Sequence, residues 1–296
     1  IQRLFDLSLS SGMPVAWAHT LWHPIPKQAH EDPMKAYRMI SLTSGLYRVL
    51  MRCMATRVQT WLSSQGKVPV HQFAFFKGRD CMIPWYVLLF AITWSKQHKL
   101  PLLLTFVDLQ AAYDSVDRGA LWQSLFEVGL PWSFIIFLRS VYDINLGHLL
   151  WDGHHHLTVP IRSGVFQGCP LSRILFNIFI ADLLPFFQER WEPGLPSTLT
   201  SLFQTPMLLY ADDLLLFAHS RGDMQSLLFE LYEYCNTKGL MVNTDKTKCM
   251  YMWDPSPGVP LRYGSTALVW VTEFKYLGLL LTWDLDLVAM QTHRIK

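Results

Sequence analysis

Two adjacent carboxylates, Asp212 and Asp213, stand in the middle of an otherwise apolar segment, residues 207–218. The apolar runs on both sides predict two buried strands of a hairpin, with the two aspartates where the turn should be. Neighbouring anions beside a core repel each other and resist desolvation, and divalent cations neutralise such pairs. The pair therefore predicts a metal site that needs a third carboxylate.

Asp108 is the candidate for that third carboxylate. It ends a continuous apolar run of strand length, residues 102–107, and a segment of helical composition follows. If this strand lies beside the hairpin, three carboxylates converge at one edge of a sheet, as two-metal phosphoryl transfer requires. The alternative is that Asp108 only caps the following helix, a common role of Asp. Taken together with the segment 207–218, Asp108 favours the metal site.

Three blocks of the chain resemble motifs A, B and C of reverse transcriptases, in that order. They are Phe-Val-Asp-Leu-Gln-Ala-Ala-Tyr-Asp at 106–114, Ser-Gly-Val-Phe-Gln-Gly-Cys-Pro-Leu-Ser at 163–172 and Tyr-Ala-Asp-Asp at 210–213. A single Tyr-Ala-Asp-Asp occurs by chance, but three ordered blocks are a specific signal. Leu-Phe-Asn at 175–177 resembles the non-LTR retrotransposon (LINE-type) lineage more than group II intron or retron enzymes.

The resemblance implies a role for several residues of motif A. Asp108 would bind two Mg²⁺ ions together with Asp212, Asp213 would support that site, and Leu109 would offer its backbone carbonyl. Tyr113 matches the steric-gate position, where an aromatic ring lies under the sugar and excludes a 2′-hydroxyl, which favours DNA synthesis. The alternative for Tyr113 is an ordinary half-buried aromatic facing the core.

Nucleotide binding is implied by two further regions. In motif B, Gln167 and Gly168 would line the pocket for the incoming nucleotide and the templating base. Residues 36–42 resemble the family's fingers motif, where Arg38, with Lys27 or Lys35 as further candidates, would hold the triphosphate. Glycine at 168 also lets backbone approach a ligand closely.

Two looser resemblances complete the predicted site. Residues 239–248 resemble motif D, in which Lys246 would donate a proton to the leaving pyrophosphate; the alternative is a solvated turn lysine. Residues 274–278, Phe-Lys-Tyr-Leu-Gly, resemble motif E, the primer grip, and this assigns a primer contact to Tyr276, Leu277 and Gly278.

Some positions depart from the family's pattern. Arg173 and Met39 stand where Pro is usual, and Ala74 replaces the usual Gly in residues 71–79, which resemble a second fingers segment. Such departures leave open a degenerate, catalytically inactive reverse-transcriptase fold that binds RNA or protein. Another polynucleotide polymerase, such as a viral RNA replicase, is disfavoured by Tyr113 and by Tyr-Ala-Asp-Asp.

Composition permits this interpretation without suggesting it. The chain has 296 residues, of which 51% are hydrophobic and 16% charged, which argues against disorder. The predicted fold is an α+β right-hand polymerase palm, an antiparallel sheet with packed helices, plus fingers, and the thumb is expected to be missing. Residues 1–100 are expected to be mostly fingers and 101–296 mostly palm with part of the fingers interleaved. The start at Ile1 suggests an excerpt of a longer product.

Local patterns predict individual elements outside the motifs. Helices are expected at 44–62, from Pro131 to 142, at 171–187 as one long buried helix, and at 223–238 with Gly239 as its stop. Short strands are expected at 241–242, 249–253, 267–271 and 277–282. The three consecutive histidines 154–156 are expected in an exposed loop after the turn dipeptide Asp152-Gly153.

Charge and cysteine content bear on partners and compartment. A formal charge of +2 is low for a nucleic-acid enzyme, although the acidic site itself lowers the net value. Five cysteines without a Cys-x-x-Cys pair favour a reducing, intracellular compartment; the nucleus is added to the cytoplasm by lineage only. The longest uncharged apolar stretch, 83–94, is too short to span a bilayer, and no membrane partner is expected.

The sequence therefore predicts an RNA-directed DNA polymerase that extends the 3′-hydroxyl of a DNA primer on an RNA template, with nicked target DNA as the expected primer. Deoxynucleoside triphosphates are its expected substrates. Two Mg²⁺ ions are its expected cofactors, and Mn²⁺ is an expected substitute.

Overall fold

The chain is described here by a computed structural model that covers residues 2–26, 37–151, 154–190, 206–254 and 258–286. Its contacts divide it into two compact units, each built from two separated stretches. The first unit combines residues 1–67 with 113–179, and the second combines 68–112 with 180–296. Fingers and palm are functional names, so the predicted division at residue 100 stays a prediction.

Helices and strands are interspersed along the described residues, and the strands between residues 248 and 282 all follow the last described helix. The helices are α1 (Gln2–Ser11), α2 (Val15–Ala18), α3 (Gly45–Ser64), α4 (Met82–His98), α5 (Arg118–Glu127), α6 (Trp132–Asp143), α7 (Ser172–Phe179), α8 (Leu183–Arg190) and α9 (Arg221–Lys238). The strands are β1 (Thr20–Pro26), β2 (Tyr37–Leu42), β3 (Leu102–Asp108), β4 (Leu146–Trp151), β5 (His154–Pro160), β6 (Met207–Tyr210), β7 (Asp213–Ala218), β8 (Lys248–Met252), β9 (Arg262–Tyr263), β10 (Thr266–Ala267), β11 (Val269–Trp270), β12 (Glu273–Tyr276) and β13 (Leu279–Thr282).

The second unit is built on a sheet with strand order β11-β8-β3-β7-β6. β3 is its central strand and pairs antiparallel with both β7 and β8. All of β3 except Asp108 is buried. A strand buried on both faces is apolar throughout instead of alternating with polar residues, which explains the continuous run at 102–107.

Helix α4 covers one face of this sheet. Trp85, Leu88 and Ile92 of α4 are almost completely buried and form one core cluster with alternate residues of β3, Leu102 and Leu104 among them. Successive side chains of a strand point to opposite faces, so the intervening residues of β3 face the other side. Helix α9 contacts β7, and its buried residues are Met224, Leu227, Leu228, Leu231, Tyr234 and Cys235.

The first unit contains a second sheet and several helices. Its sheet has the order β2-β1-β4-β5, in which β1 runs antiparallel to β2 and parallel to β4. Helix α7 contacts both α3 and α5. All residues of α7 except Arg173 are buried, so this helix forms the interior of the unit.

Three predicted helices are confirmed with small shifts of their ends. α3 begins after Ser44, whose side chain accepts a hydrogen bond from the backbone N–H of Tyr47 at 3.2 Å. α6 begins after Pro131. α9 ends at Gly239, which adopts the left-handed φ of 68° that glycine allows without strain. Ser220, which was not predicted as a cap, accepts a hydrogen bond from the N–H of Asp223 at the start of α9.

The predicted single helix at 171–187 is wrong, because the chain turns at residues 180–182 and forms α7 and α8. Pro185 explains the break. Its ring would clash with the carbonyl four residues earlier inside a continuous helix, whereas the first turn of a new helix tolerates it. The break leaves Asp182 between the helices, where it accepts a hydrogen bond from Tyr234 at 2.6 Å and pairs with Lys238 at 2.6 Å.

Several strand predictions need correction. Residues 241–242 form no strand, and Val242 makes an isolated bridge to Leu109. The segment 267–271 is divided between β10 and β11. The histidines 154–156 begin β5 and do not lie in a loop, because β5 pairs antiparallel with β4 and His154 lies opposite Trp151. Residues 152–153 lie outside the described ranges. Residues 193–196, where two prolines and a glycine predict a loop, also lie outside the described ranges.

Within the described residues, no helix is long and apolar enough to cross a membrane.

Candidate functional site

Two of the predicted carboxylates occupy directly paired positions of the central sheet. The antiparallel register between β3 and β7 pairs Asp108 with Asp213, and Val107 with Leu214 one step further in. Directly opposite residues of an antiparallel pair have Cβ atoms about 5 Å apart on the same face. The structure therefore brings Asp108 and Asp213 together, although 104 residues of sequence lie between them.

Asp212 lies in the turn before β7. Tyr210 and Asp213 close the β6–β7 hairpin, so that Ala211 and Asp212 form a two-residue loop. Ala211 adopts a left-handed φ of 58°, which residues other than glycine rarely adopt. The prediction that both aspartates occupy the turn is corrected here, since Asp213 is the first residue of β7.

The three aspartates influence one another electrostatically. Burial, followed by the charges of Asp212 and Asp108, raises the pKa of Asp213 to about 6. Each of these effects disfavours the ionised form. In a metal-free protein, Asp213 therefore gains and loses its proton close to physiological pH.

The backbone of Asp108 is fixed by the segment that resembles motif D. Its N–H donates to the hydroxyl of Thr247 at 3.2 Å, and its carbonyl accepts from the N–H of Asn243 at 2.8 Å. The N–H of Gln110 donates to the carbonyl of Met241 at 2.7 Å, so contacts continue on the far side of Leu109. The contacts of Thr247 and Asn243 to the backbone of Asp108 were not predicted. Their position close to Lys246, in the segment that resembles motif D, was the signal that could have indicated them.

A cavity of about 670 Å³ adjoins the paired aspartates. Side chains of both charges line it, including Asp108, Asp213, Asp245, Lys246, Lys248, Glu273 and Lys275. The structure therefore brings Lys246 to the same cavity as the carboxylates, as the predicted proton donor requires. Its side chain is exposed, so a ligand in the cavity can reach it.

The segment predicted as a primer grip is the β12–β13 hairpin. Leu277 and Gly278 form its two-residue loop, with φ of 43° and 87°. Positive φ at both loop positions is typical of a type I′ turn. Tyr276 is 3% exposed, and its ring packs against Phe106 and Trp85 with centroids 5.7 Å away in each case. Tyr276 is therefore part of the cavity wall.

The hydroxyl of Tyr276 is also affected by the negative charge of the acidic site. Burial, followed by the charge of Asp213, raises the pKa of its hydroxyl above the ordinary value. Among the described residues that hydroxyl has no hydrogen-bond partner. The tyrosine is therefore neutral at any physiological pH.

The predicted nucleotide-binding residues of the first unit form their own cluster. The ring of Tyr113 stacks on Phe176 with centroids 4.8 Å apart and an interplanar angle of 22°. The N–H of Val165 donates to the carbonyl of Tyr113 at 2.8 Å. The amide of Gln167 donates to the Asp114 carboxylate at 2.9 Å, so motif B lies directly against the end of motif A.

Two glycines of motif B permit this close approach. Gly164 has a φ of 77°, and a Cβ at this position would lie 2.7 Å from the Cα of Asp114. Gly168 has a φ of 106°, and a Cβ there would lie 3.2 Å from the carbonyl oxygen of Ser41. The N–H of Ser41 donates to the carbonyl of Gln167 at 3.1 Å, so β2 is held beside motif B.

Arg38 lies on β2, where its backbone pairs with Ile25. Its side chain, and all of Lys27 and Lys35, lie outside the described residues. The departures from the family pattern fit the local structure. Arg173 is an exposed residue in the first turn of α7, and Ala74 is completely buried.

Asp117, and not Asp108, is the aspartate that begins the next helix. Its carboxylate accepts from the N–H of Ala120 at 2.7 Å and caps α5. Asp108 therefore does not have the capping role that was its alternative. Asp114 is exposed and accepts the bond from Gln167.

The carboxylates provide the oxygen donors that Mg²⁺ prefers. Within the described ranges, no group of three or more His, Cys, Asp or Glu side chains is arranged to hold a metal ion by itself. Mg²⁺ commonly uses one or two carboxylates and takes its remaining ligands from water and substrate phosphates. Asp108 and Asp213, paired across β3 and β7 with Asp212 in the adjoining turn, would supply the carboxylates for an ion of that kind.

A sheet whose four strands β8, β3, β7 and β6 pair antiparallel, with acidic residues at the end of its central strand and helices covering it, is the architecture of a polymerase palm. The chain belongs to the family described as reverse transcriptase (RNA-dependent DNA polymerase), whose model matches residues 25–281.

Known relatives agree with the non-LTR lineage. The chain is 28% identical over 222 residues to the Pol polyprotein of the type-2 retrotransposable element R2DM of Drosophila melanogaster, covering 75% of this chain and 20% of that protein. It is 25% identical to a Pol polyprotein of the type-1 element R2 of Popillia japonica, covering 91% and 38%. A probable RNA-directed DNA polymerase from transposon BS of D. melanogaster is 27% identical, covering 86% and 28%. The chain thus spans well under half of these relatives.

Solved structures confirm the fold. Telomerase from Candida tropicalis in complex with a TWJ fragment of telomeric RNA superposes with a TM-score of 0.61 at 14% identity, covering 93% of this chain and 45% of that chain. The corresponding complex from Candida albicans gives 0.60 at 15%, covering 93% and 46%.

Proposed function

We propose that this chain catalyses RNA-directed DNA synthesis as part of a non-LTR retrotransposon protein, by extending a DNA primer on an RNA template. The observation that carries the proposal is the pairing of Asp108 with Asp213 at the end of the central strand, with Asp212 beside them, in a chain of the reverse transcriptase family.

Asp108 and Asp212, supported by Asp213 and the carbonyl of Leu109, would hold two Mg²⁺ ions, with Mn²⁺ as a substitute. Such ions stabilise the attacking and leaving oxygens of an in-line phosphoryl transfer. The raised pKa of Asp213 supports this assignment, because a carboxyl group crowded by like charges is relieved by a bound cation.

Residues of the chain act directly on the nucleotide. Lys246 donates a proton to the leaving pyrophosphate. A general acid must lie within hydrogen-bond reach of the group that it protonates. Tyr113, held by its stack on Phe176, excludes a ribose 2′-hydroxyl. Gln167 and Gly168 line the nucleotide pocket, and Arg38 holds the triphosphate.

Tyr276, Leu277 and Gly278 position the primer end. The tight turn at Leu277 and Gly278 supports this role, because it presents backbone at the tip of a hairpin that borders the acidic cavity. The template and primer are held mainly through their phosphates, since a copying enzyme cannot depend on base sequence. Nicked target DNA is the proposed primer, and nucleus and cytoplasm are the proposed compartments.

A primer-extension assay tests the proposal. The purified protein is given a DNA primer annealed to RNA or to DNA, with Mg²⁺ and either deoxynucleoside or ribonucleoside triphosphates. Extension on the RNA template with deoxynucleotides supports the proposal. Preference for ribonucleotides would instead indicate an RNA polymerase.

A second candidate function is an inactive module that binds RNA or protein. The replacements at Met39, Ala74 and Arg173 are the observation in its favour. Tight binding of the RNA–DNA duplex without extension, under both Mg²⁺ and Mn²⁺, would support this candidate against the first.

A further inference from the structure

We propose that Gln72 is a positioning residue that holds the aspartate turn of β6 and β7 in its active conformation. Gln72 lies outside the segments that contain the carboxylates, 139 residues before Ala211. The consequence for catalysis rests on the proposed polymerase function; the consequence for the conformation of the turn does not.

The side-chain amide of Gln72 binds both backbone groups of Ala211. Its Nε2 donates to the carbonyl of Ala211 at 3.2 Å, and its Oε1 accepts from the N–H of Ala211 at 2.9 Å. The same Oε1 accepts from the N–H of Ala74 at 3.0 Å. Ala211 immediately precedes Asp212, so these bonds fix the backbone from which that carboxylate projects.

Burial makes these bonds strong determinants of structure. Gln72 and Ala74 are 0% exposed and Ala211 is 7% exposed. A buried backbone N–H or carbonyl that loses its partner cannot turn to water instead, so the unmade bond is costly. The turn is therefore expected to move when the amide of Gln72 is removed.

Ala211 needs such support because of its conformation. Its φ of 58° lies in the left-handed region. The Cβ makes this region unfavourable, so residues other than glycine adopt it only rarely. Strained residues of this kind persist where their surroundings over-determine them. The two hydrogen bonds from Gln72 hold Ala211 in this conformation, at a position where the sequence has alanine and not glycine.

The segment that carries Gln72 is itself anchored. The N–H of Leu209 donates to the carbonyl of His71, and the N–H of Phe73 donates to the carbonyl of Leu209, both at 2.8 Å. Residues 71–73 thus lie along β6 as a short parallel partner. The guanidinium of Arg79 donates to the backbone carbonyls of Pro69 and Gln72 and fixes this segment from the other side.

Gln72→Ala tests the proposal, with Gln225→Ala as the matched control. Gln225 makes the same two-way amide contact, to the N–H and carbonyl of Arg262, and thereby joins α9 to β9 instead of holding the aspartate turn. Hydrogen exchange of the peptide containing residues 207–214 is measured by mass spectrometry, and steady-state extension is measured on the RNA template. Gln72→Ala is expected to accelerate exchange in that peptide and to lower kcat by about 10- to 100-fold with little change in KM for the nucleotide.

Ala211→Gly provides a rescue that a general loss of stability would not give. Glycine adopts the left-handed conformation without strain, so adding it to Gln72→Ala is expected to recover part of kcat, while it changes the wild-type protein little. If Gln72→Ala does not fold, Gln72→Met, which keeps the length of the side chain but not its bonds, takes its place in the same measurements.

The outcomes separate this proposal from the proposed function. Unchanged exchange at 207–214 in a folded Gln72 variant would overturn the positioning role, as would a kcat equal to that of Gln225→Ala. If the wild-type protein extends no primer, the polymerase function fails, and the exchange comparison alone still decides whether Gln72 holds the turn.

Discussion

Asp108 and Asp213 are direct neighbours across the ladder between β3 and β7. Like charges at directly opposite positions destabilise an antiparallel pair. Burial, followed by the charges of Asp212 and Asp108, raises the pKa of Asp213 to about 6. The end of the sheet is therefore more stable when Asp213 is neutral or when a cation lies between the carboxylates.

Asp213→Asn is expected to stabilise the metal-free protein at pH 7. Because the folded-state pKa of Asp213 lies above its unfolded value, the folded protein binds more protons between about pH 4 and 6. Its contribution to stability is full below that window and is lost as the pH rises through about 6. The difference in melting temperature between variant and wild type should therefore shrink as the pH falls to 4, and solvent screening keeps it moderate. A difference in melting temperature that stays the same from pH 7 to pH 4 would contradict this role of Asp213.

Asp212→Ala is expected to abolish Mg²⁺-dependent extension while the fold stays intact. Metal-held charge stabilisation contributes several kcal/mol to such transition states, which corresponds to a loss on the order of 1000-fold or more in kcat. Single-turnover extension measures the rate and circular dichroism checks the fold. Extension at the wild-type rate by the folded variant would refute the assignment of Asp212.

Tyr113→Ala is expected to admit ribonucleotides, because the ring that stacks on Phe176 is removed from the sugar position. The measurement is the ratio of kcat/KM for a deoxynucleotide to that for the matching ribonucleotide. Tyr113→Phe keeps the ring and should keep the ratio, as should Tyr86→Ala, which removes an exposed tyrosine on α4. An unchanged ratio in Tyr113→Ala would leave the residue as a core aromatic.

Lys246→Ala is expected to lower kcat by about 100-fold or more, in the range of general acid catalysis, and to leave KM for the nucleotide nearly unchanged. Lys248→Ala is the matched control, since Lys248 lines the same cavity two residues away. The two variants remove the same charge, so a general electrostatic effect would lower both rates equally and contradict a specific proton donor.

Trp85→Phe is expected to destabilise the protein by about 1–2 kcal/mol, chiefly through one lost buried hydrogen bond. The indole nitrogen of Trp85 donates to the carbonyl of Tyr276 at 3.1 Å and ties α4 to the β12–β13 hairpin. Urea unfolding measures the change. Trp132→Phe, at a residue that is 52% exposed on α6, should change stability by less.

Long apolar patterns made much of the fold predictable. The run before Asp108, the hairpin around Asp212 and the helix periodicity of α3, α6 and α9 each appear in the structure within a few residues of their predicted bounds. These elements are specified locally, by spacing, caps and stops. Pro185 was visible as well and should have divided the predicted helix at 171–187.

Register and long-range contacts were not predictable in this way. The placement of Asp213 in β7 depends on a two-residue turn with Ala211 at positive φ, and alanine gives no signal for such a turn. The roles of Gln72 and Thr247 depend on hydrogen bonds that span 139 residues in each case. No local pattern determines contacts of that length.

The central position of β3 has a consequence for folding during synthesis. Both of its neighbours, β7 and β8, are made long after it, and the hydrogen bond from Asp108 to Thr247 closes a gap of 139 residues. At a ribosomal speed of about 5–20 residues per second, the buried apolar strand waits roughly 7–28 seconds for that partner. Such an unpaired strand is prone to aggregate. Expression of the chain is therefore expected to depend on chaperones that shield residues 102–107 until the second half of the sheet arrives.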